Sequence, residues 1–324
     1  MEKIFQRLSF SSATLVFIIL LGIFITLFNA AQPAMKEFGF GFITDTAWNK
    51  EVPIETPKAK STPPQNVTVP TDDEDIVTDD FNDDSMGIAD EDEVETKTIY
   101  GGLVPIVGSI LSTIIALLFS LPIAMGIAIF LAEIAPKNIS TIVGGAIELL
   151  AAIPSIIFGM WGLYYFAPIV ADTFGGFQVS LLTAGLVLGV MILPFMAAIT
   201  RDSMNTTPDI LKESAYALGA TKFEVIKDII FPYSKVGIIG SIILSLGRAL
   251  GETMAVAFLI GSIFELPHKL TDPTMSIPVA LANNFGEASG LGMSSLFYLA
   301  FILFILSFAI ISFAKFYFLR KVEV

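Results

Sequence analysis

Residues 211–232 read LKESAYALGATKFEVIKDIIFP, a charged island between two long apolar stretches. Its local signals describe a folded hairpin. Thr207-Pro208-Asp209 predicts a helix start, with threonine as the N-cap and proline at the first helical position. Gly219 is a natural stop. Thr221 followed by Glu224 makes a capping-box pair for a second helix, which Pro232 is expected to end. An ordinary amphipathic surface hairpin is the bland reading. A capped helix-turn-helix at a membrane surface, too short to be a domain, is more simply a docking element for another protein.

The composition puts that hairpin in a membrane protein. Apolar residues make up 54% of the chain, charged residues only 15%, and mean hydropathy is +0.76. Soluble domains carry about 25% charged residues. Cysteine is absent, which excludes disulfides, thiol nucleophiles and thiolate metal sites. The single histidine, His268, cannot form a histidine-based metal site alone. No metal, cofactor or nucleic-acid partner is expected. An intramembrane enzyme would need His, Cys, paired Asp or an activated Ser arranged within the bilayer, and no such arrangement is present.

Six stretches are long and apolar enough to cross a bilayer, near residues 10–31, 103–133, 139–167, 179–200, 236–264 and 291–317. Lys3 and Arg7 precede the first, whose apolar core is too long for a cleaved signal, so it reads as an anchor. With the N-terminus inside, the inner segments hold Lys3, Arg7, Lys137, Arg201, Lys212, Lys222, Lys227, Lys235, Lys315, Arg320 and Lys321. Both termini and the hairpin are then expected on the cytoplasmic side, where ATP is found.

The long outer loop has two parts. Residues 38–48, with the run Phe38-Gly39-Phe40-Gly41-Phe42 and Trp48, suit an interfacial or partner-facing segment. Residues 36–97 carry 17 acidic and 5 basic residues, so almost all of the net charge of −13 belongs to this loop. Within it, residues 53–96 are rich in Pro, Thr, Asp and Glu, and read as a solvated, disordered tether. Asp80, Asn82 and Asp84 alternate as in a calcium loop, but the glycine falls at Gly87 and the match fails.

The second strong signal is Gly247-Arg248-Ala249-Leu250-Gly251-Glu252-Thr253. Ionisable residues inside a membrane helix are expensive and are functional candidates by default. Arg248 and Glu252 are four apart, so on one helix they share a face, with a small-residue face beside it. A purely structural ion pair is the bland alternative, a poor bargain once desolvation is counted. In the functional reading Arg248 offers two parallel hydrogen bonds to an oxyanion, and Glu252 holds it or accepts from a protonated substrate oxygen. Glu148 is a third candidate. It lies ~13 Å into the third stretch and Arg248 ~18 Å into the fifth, depths that could let them meet. Glu133, at a helix end beside Pro136, reads as a solvated boundary residue. Gly185, Gly189, Gly144, Gly145, Pro122, Pro154 and Pro194 read as packing and kinking positions, and Trp161, Tyr164 and Tyr165 as an interfacial belt at the outer end of the third helix.

A family resemblance runs through these segments. Glu213-Ser214-Ala215, Gly219 and Ile230-Phe231-Pro232 resemble the EAA loop of permease subunits in ATP-binding-cassette importers, with serine in place of the usual alanine. Residues 247–256 (GRALGETMAV), residues 148–162 (ELLAAIPSIIFGMWG), Tyr100-Gly101 and residues 283–288 (NNFGEA) resemble the PstC-type permease subunits of phosphate-specific importers. The similarity spans the chain apart from the acidic insert, which is longer than such subunits usually have. The resemblance implies an all-α, six-helix type I ABC importer permease fold with N-in/C-in topology. Residues 1–33 would form an anchor helix, 34–98 an extracytoplasmic loop, and 99–324 a five-helix core with a cytoplasmic coupling loop near 201–235. It implies a PstA-type second permease subunit, two copies of a PstB-type ATPase, a PstS-type phosphate-binding protein outside, and membrane lipid around the helices. Glu213, Ser214, Ala215, Gly219 and Pro232 would couple to the ATPase, while Arg248, Glu252 and Glu148 would line the path. No GxxxxGK[ST] sequence occurs, so the chain itself is not expected to hydrolyse ATP. An importer for sulfate, molybdate or phosphonate, and an ion-coupled secondary carrier, are the competing readings.

Overall fold

The computed structural model describes residues 2–53 and 96–320. The acidic tether and the failed calcium-loop match fall almost entirely outside the described residues. Two units are present, residues 1–48 with 100–324 and residues 49–99. Of the smaller unit, the described part belongs to two paired strands, Trp48–Pro53 and Thr96–Tyr100.

Among the described residues six helices can cross a membrane: Ile4–Phe38, Leu103–Ile134, Ser155–Phe174, Leu181–Asn205, Lys222–Leu250 and Gly290–Tyr317. The fourth is the centre of the bundle. Ser180 caps it, accepting the Thr183 N–H at 3.2 Å. It packs along the second helix through Gly185 and Gly189. A Cβ on Gly185 would lie 2.7 Å from Ile115 Cβ, and one on Gly189 would lie 3.0 Å from the Ala116 carbonyl oxygen. Close backbone approach of this kind is how helices gain contact where lipid offers no hydrophobic drive. A buried hydroxyl pair, Thr200 Oγ1 and Ser241 Oγ at 2.7 Å, joins the fourth helix to the fifth. The first helix is apolar and largely exposed. It leans on the sixth through Phe24 and Phe28, whose rings lie 5.3 and 5.6 Å from Phe301.

Three boundaries differ from the sequence reading, each for a local reason. The stretch expected as one helix over 139–167 is two. Lys137–Ala151 ends at a turn, and Pro154, with extended ψ, opens a new helix at Ser155. Proline disfavours helical geometry in the residue before it and suits a helix start. Pro154 therefore divides the stretch, where only a kink was expected. The third crossing then runs to Phe174, so Trp161, Tyr164 and Tyr165 sit inside it and not at its outer end.

The fifth crossing begins at Lys222 and stops at Leu250, not near 264. Gly251 comes next, and residues 251–276 form a short helix, Met254–Ala257, with turns around it. Pro232 does not end a helix. The preceding turn, Val225–Ile230, is π-helical, and Pro232 sits at the start of the regular part, where its missing N–H is harmless.

The aromatic run near residue 40 folds mainly onto the protein itself. Phe42 is fully buried and stacks on Tyr298 at 4.6 Å, and Trp48 stacks on Phe264 at 4.7 Å. Phe40 alone of that run is fully turned outward, at 88% exposed.

Candidate functional site

The hairpin exists and is built by its caps. Its first helix, Asp209–Ala217, buries no side chain of its own. Pro208 occupies the N-cap position, so the expected threonine cap is not made. Thr207 is buried and its hydroxyl lacks a hydrogen-bond partner among the described residues. The helix ends in a Schellman motif. Gly219 takes φ +88°, its N–H donates to the Tyr216 carbonyl at 2.9 Å, and the Ala220 N–H donates to the Ala215 carbonyl at 3.0 Å. One residue later the capping box closes. The Thr221 N–H donates to Glu224 Oε2 at 2.7 Å, and the Glu224 N–H donates to Thr221 Oγ1 at 3.4 Å.

These two motifs decide which way each side chain of the hairpin points. Ala215 turns inward, onto a cluster of Met204, Val225, Ile226 and Ile230. Glu213 and Ser214 face outward, and the Ser214 hydroxyl donates back to the Ile210 carbonyl at 2.6 Å. That internal bond lets serine stand where alanine is usual. Leu218, 90% exposed, and Phe223, 71% exposed, form an apolar tip. Glu213, Ser214, Ala215 and Gly219 thus lie together on one exposed hairpin. Pro232 lies further on, in the fifth crossing.

Glu133 is not the solvated boundary residue expected. It lies on a π-helical turn, Phe130–Ile134, that closes the second crossing, and its carboxylate meets Lys212 Nζ at 2.6 Å. The side chains are 9% and 16% exposed, so this ion pair is largely shielded from solvent. Sequence reasoning missed it because the partners are 79 positions apart.

The intramembrane candidates do not gather. Arg248 lies in the last turn of the fifth crossing and is exposed at the chain's own surface, with its guanidinium carbon 5.6 Å from the centre of the Phe195 ring. Glu252 is past the helix end, so the shared face expected for the two does not form. Its carboxylate instead accepts the Ala255 N–H at 3.2 Å, supporting the short helix Met254–Ala257. Glu148 does not meet Arg248. It accepts from Arg201 Nη2 at 3.0 Å, and Asp202 accepts from the same nitrogen at 2.8 Å. Gly144, one helical turn before Glu148, leaves the space this guanidinium fills, since a Cβ there would collide with Arg201 Nη1. Among the described residues no ion pair links Arg248 to Glu252 or Glu148.

Residues 124–323 match the family described as binding-protein-dependent transport system inner membrane component. The chain belongs to this family. A relative from Haemophilus influenzae, the phosphate transport system permease protein PstC, is 38% identical over 94% of this chain and 89% of its own length. The PstC of Pasteurella multocida is 48% identical over 68% of this chain and 75% of its own. Among solved structures, a chain of the MetNI methionine ABC transporter in inward-facing conformations is similar. It has a TM-score of 0.51 and 19% identity, over 67% of this chain and 91% of that one. This inner membrane component therefore has the type I ABC importer permease fold, and it is a multi-pass membrane protein whose family works in transport. The matched region contains the whole hairpin and Arg248.

Proposed function

We propose that this chain is the transmembrane permease subunit of an ATP-driven importer that carries inorganic phosphate across the cytoplasmic membrane. The observation that carries the reading is the near full-length similarity to relatives named as phosphate transport permeases. The capped, outward-facing hairpin supports the coupling part. Both termini lie on the cytoplasmic side, as the lysine and arginine bias favours. Glu213 and its neighbours sit in a groove of a separate ATPase, of which two copies serve this chain and a homologous second permease subunit. ATP-driven closure of the ATPases moves the hairpins and opens the path outward, an external binding protein delivers phosphate, and hydrolysis resets the path inward. The chain itself hydrolyses nothing.

Arg248 is the anion-binding residue of the path. A guanidinium facing lipid is costly, so the surface it occupies borders a polar space shared with the second permease subunit. Its planar fork donates two parallel hydrogen bonds to phosphate. Glu252, just beyond the helix end, accepts a hydrogen bond from a protonated phosphate oxygen, which sulfate lacks near neutral pH. Glu148, held by Arg201, stands apart from that pair.

Radiolabelled phosphate uptake tests this in a strain lacking only this subunit, complemented with wild type or Arg248→Gln at matched membrane levels, with excess sulfate, molybdate or phosphonate as competitors. Rescue by wild type alone, undiminished by the competitors, is the expected result. Rescue by both chains would remove Arg248 from the path. Rescue by neither, or strong competition by another oxyanion, would overturn the substrate.

A further inference from the structure

The first hairpin helix raises a mechanical question. Helix Asp209–Ala217 presents Glu213 and Ser214 outward and fully buries none of its side chains; its one apolar contact with the bundle is the partly buried Ala215. Its inward face consists of Lys212 and Ala215, three positions apart and so on one side. Ala215 is small and makes only a shallow contact. Lys212 reaches the second crossing, where Glu133 meets it at 2.6 Å with both side chains largely shielded. Asp209, at 4.0 Å from Lys212 Nζ and 88% exposed, is a peripheral third member.

Glu133 is placed for this contact by an irregularity. Glu133 lies within the π-helical turn Phe130–Ile134, with which the second crossing ends. Ser140 fastens the end of that turn by donating its hydroxyl to the Leu131 carbonyl at 2.8 Å. The second crossing in turn packs closely on the fourth through Gly185 and Gly189. A route therefore runs from the exposed hairpin through this ion pair to the second crossing, beside the apolar cluster in which Ala128, Met204, Val225, Ile226 and Ile230 also meet.

We infer that the Lys212–Glu133 ion pair is the polar tie that makes the second membrane helix move with the docking hairpin, with Lys212 and Glu133 as positioning residues for coupling. The inference rests on the importer reading above. A shielded pair suits the task. It is short and directional, and the alternative of leaving either charge unpaired in that setting is costly, so the two elements shift together.

The test uses the complete importer in proteoliposomes, loaded with its binding protein and phosphate, reading phosphate moved and ATP hydrolysed in the same vesicles. Wild type must first show ATP-dependent phosphate uptake; if it does not, the importer reading fails, and it fails separately from this one. Lys212→Met and Glu133→Gln are expected to lower phosphate moved per ATP at least about fivefold, the lower edge of ordinary coupling between sites, while the complex stays assembled and hydrolyses ATP. Lys212→Arg, which keeps the charge, is expected to retain the ratio. A merely structural defect would lower transport and hydrolysis together and leave the ratio unchanged. The exchanged double variant, Glu133→Lys with Lys212→Glu, is expected to recover most of the lost ratio. Single variants that couple as wild type does overturn the inference. If the single variants do not assemble, the exchange decides: recovered assembly and ratio support the tie, and failure of either overturns it.

Discussion

Arg248 and Glu213 are the residues on which the proposal turns, and they fail in different ways. Glu213→Lys puts a positive charge on the outward face of the hairpin, where no partner among the described residues constrains it. The chain is expected to fold and reach the membrane in normal amount, with phosphate uptake lost; uptake at wild-type rate would refute the docking role. Arg248→Lys keeps a charge but loses the planar fork. Uptake is expected to fall at least about tenfold, the worth of a charge-assisted hydrogen bond, and an unchanged rate would mean that only charge matters there. Both were singled out from the sequence alone: an arginine in an apolar run, and an acidic residue on a short polar helix just before two capping motifs. The partners of Glu133 and Glu148 were not legible. Lys212 and Arg201 come from distant parts of the chain, and only the packing of helices against one another brings them within 3.0 Å.

At the scale of elements, the caps at Gly219 and Thr221 were readable, while the threonine cap expected at Thr207 is not made and the interruptions escaped. Gly219 and the Thr221–Glu224 box act over three or four positions, so residue spacing suffices to place them. Gly219→Ala forces a side chain into the left-handed region, at a cost of about 1–2 kcal/mol. The expected outcome is faster hydrogen exchange of the hairpin amides with little change in the membrane helices, and equal protection across the hairpin would refute it. The π-helical turns at Phe130–Ile134 and Val225–Ile230 escaped the reading, because one extra residue in a turn leaves the apolar pattern intact. Pro232 misled for a related reason. Proline breaks a helix by its missing N–H and its ring, and a preceding π-helical turn removes much of that conflict. The stop after Leu250 hides similarly, since residues 251–264 stay apolar while their backbone leaves the helix.

For the whole molecule, the acidic insert is separate in sequence from the residues proposed to carry transport. Deleting residues 72–95 is expected to leave phosphate uptake near the wild-type rate, because the proposed hairpin and anion site lie elsewhere. Loss of uptake, with binding-protein docking lost in parallel, would make the insert part of the external docking surface. The rest of the chain has one structural theme: close glycine contacts and buried hydroxyls join the second, fourth and fifth crossings into a core, while the first helix and the outer faces remain apolar toward lipid.

The sequence by itself determined that this is a six-helix membrane protein, that residues 211–232 hold a capped hairpin, and that Arg248 is out of place in lipid. Those properties depend on composition and on neighbours within a few positions, where local energetics decide. Only the tertiary structure decided that Glu148 belongs with Arg201, that Glu252 supports the next helix instead of Arg248, and that Glu133 pairs with Lys212. Which donor a carboxylate meets is set by what the packing brings within reach, and that depends on the relative rotation of several helices and on where each one stops.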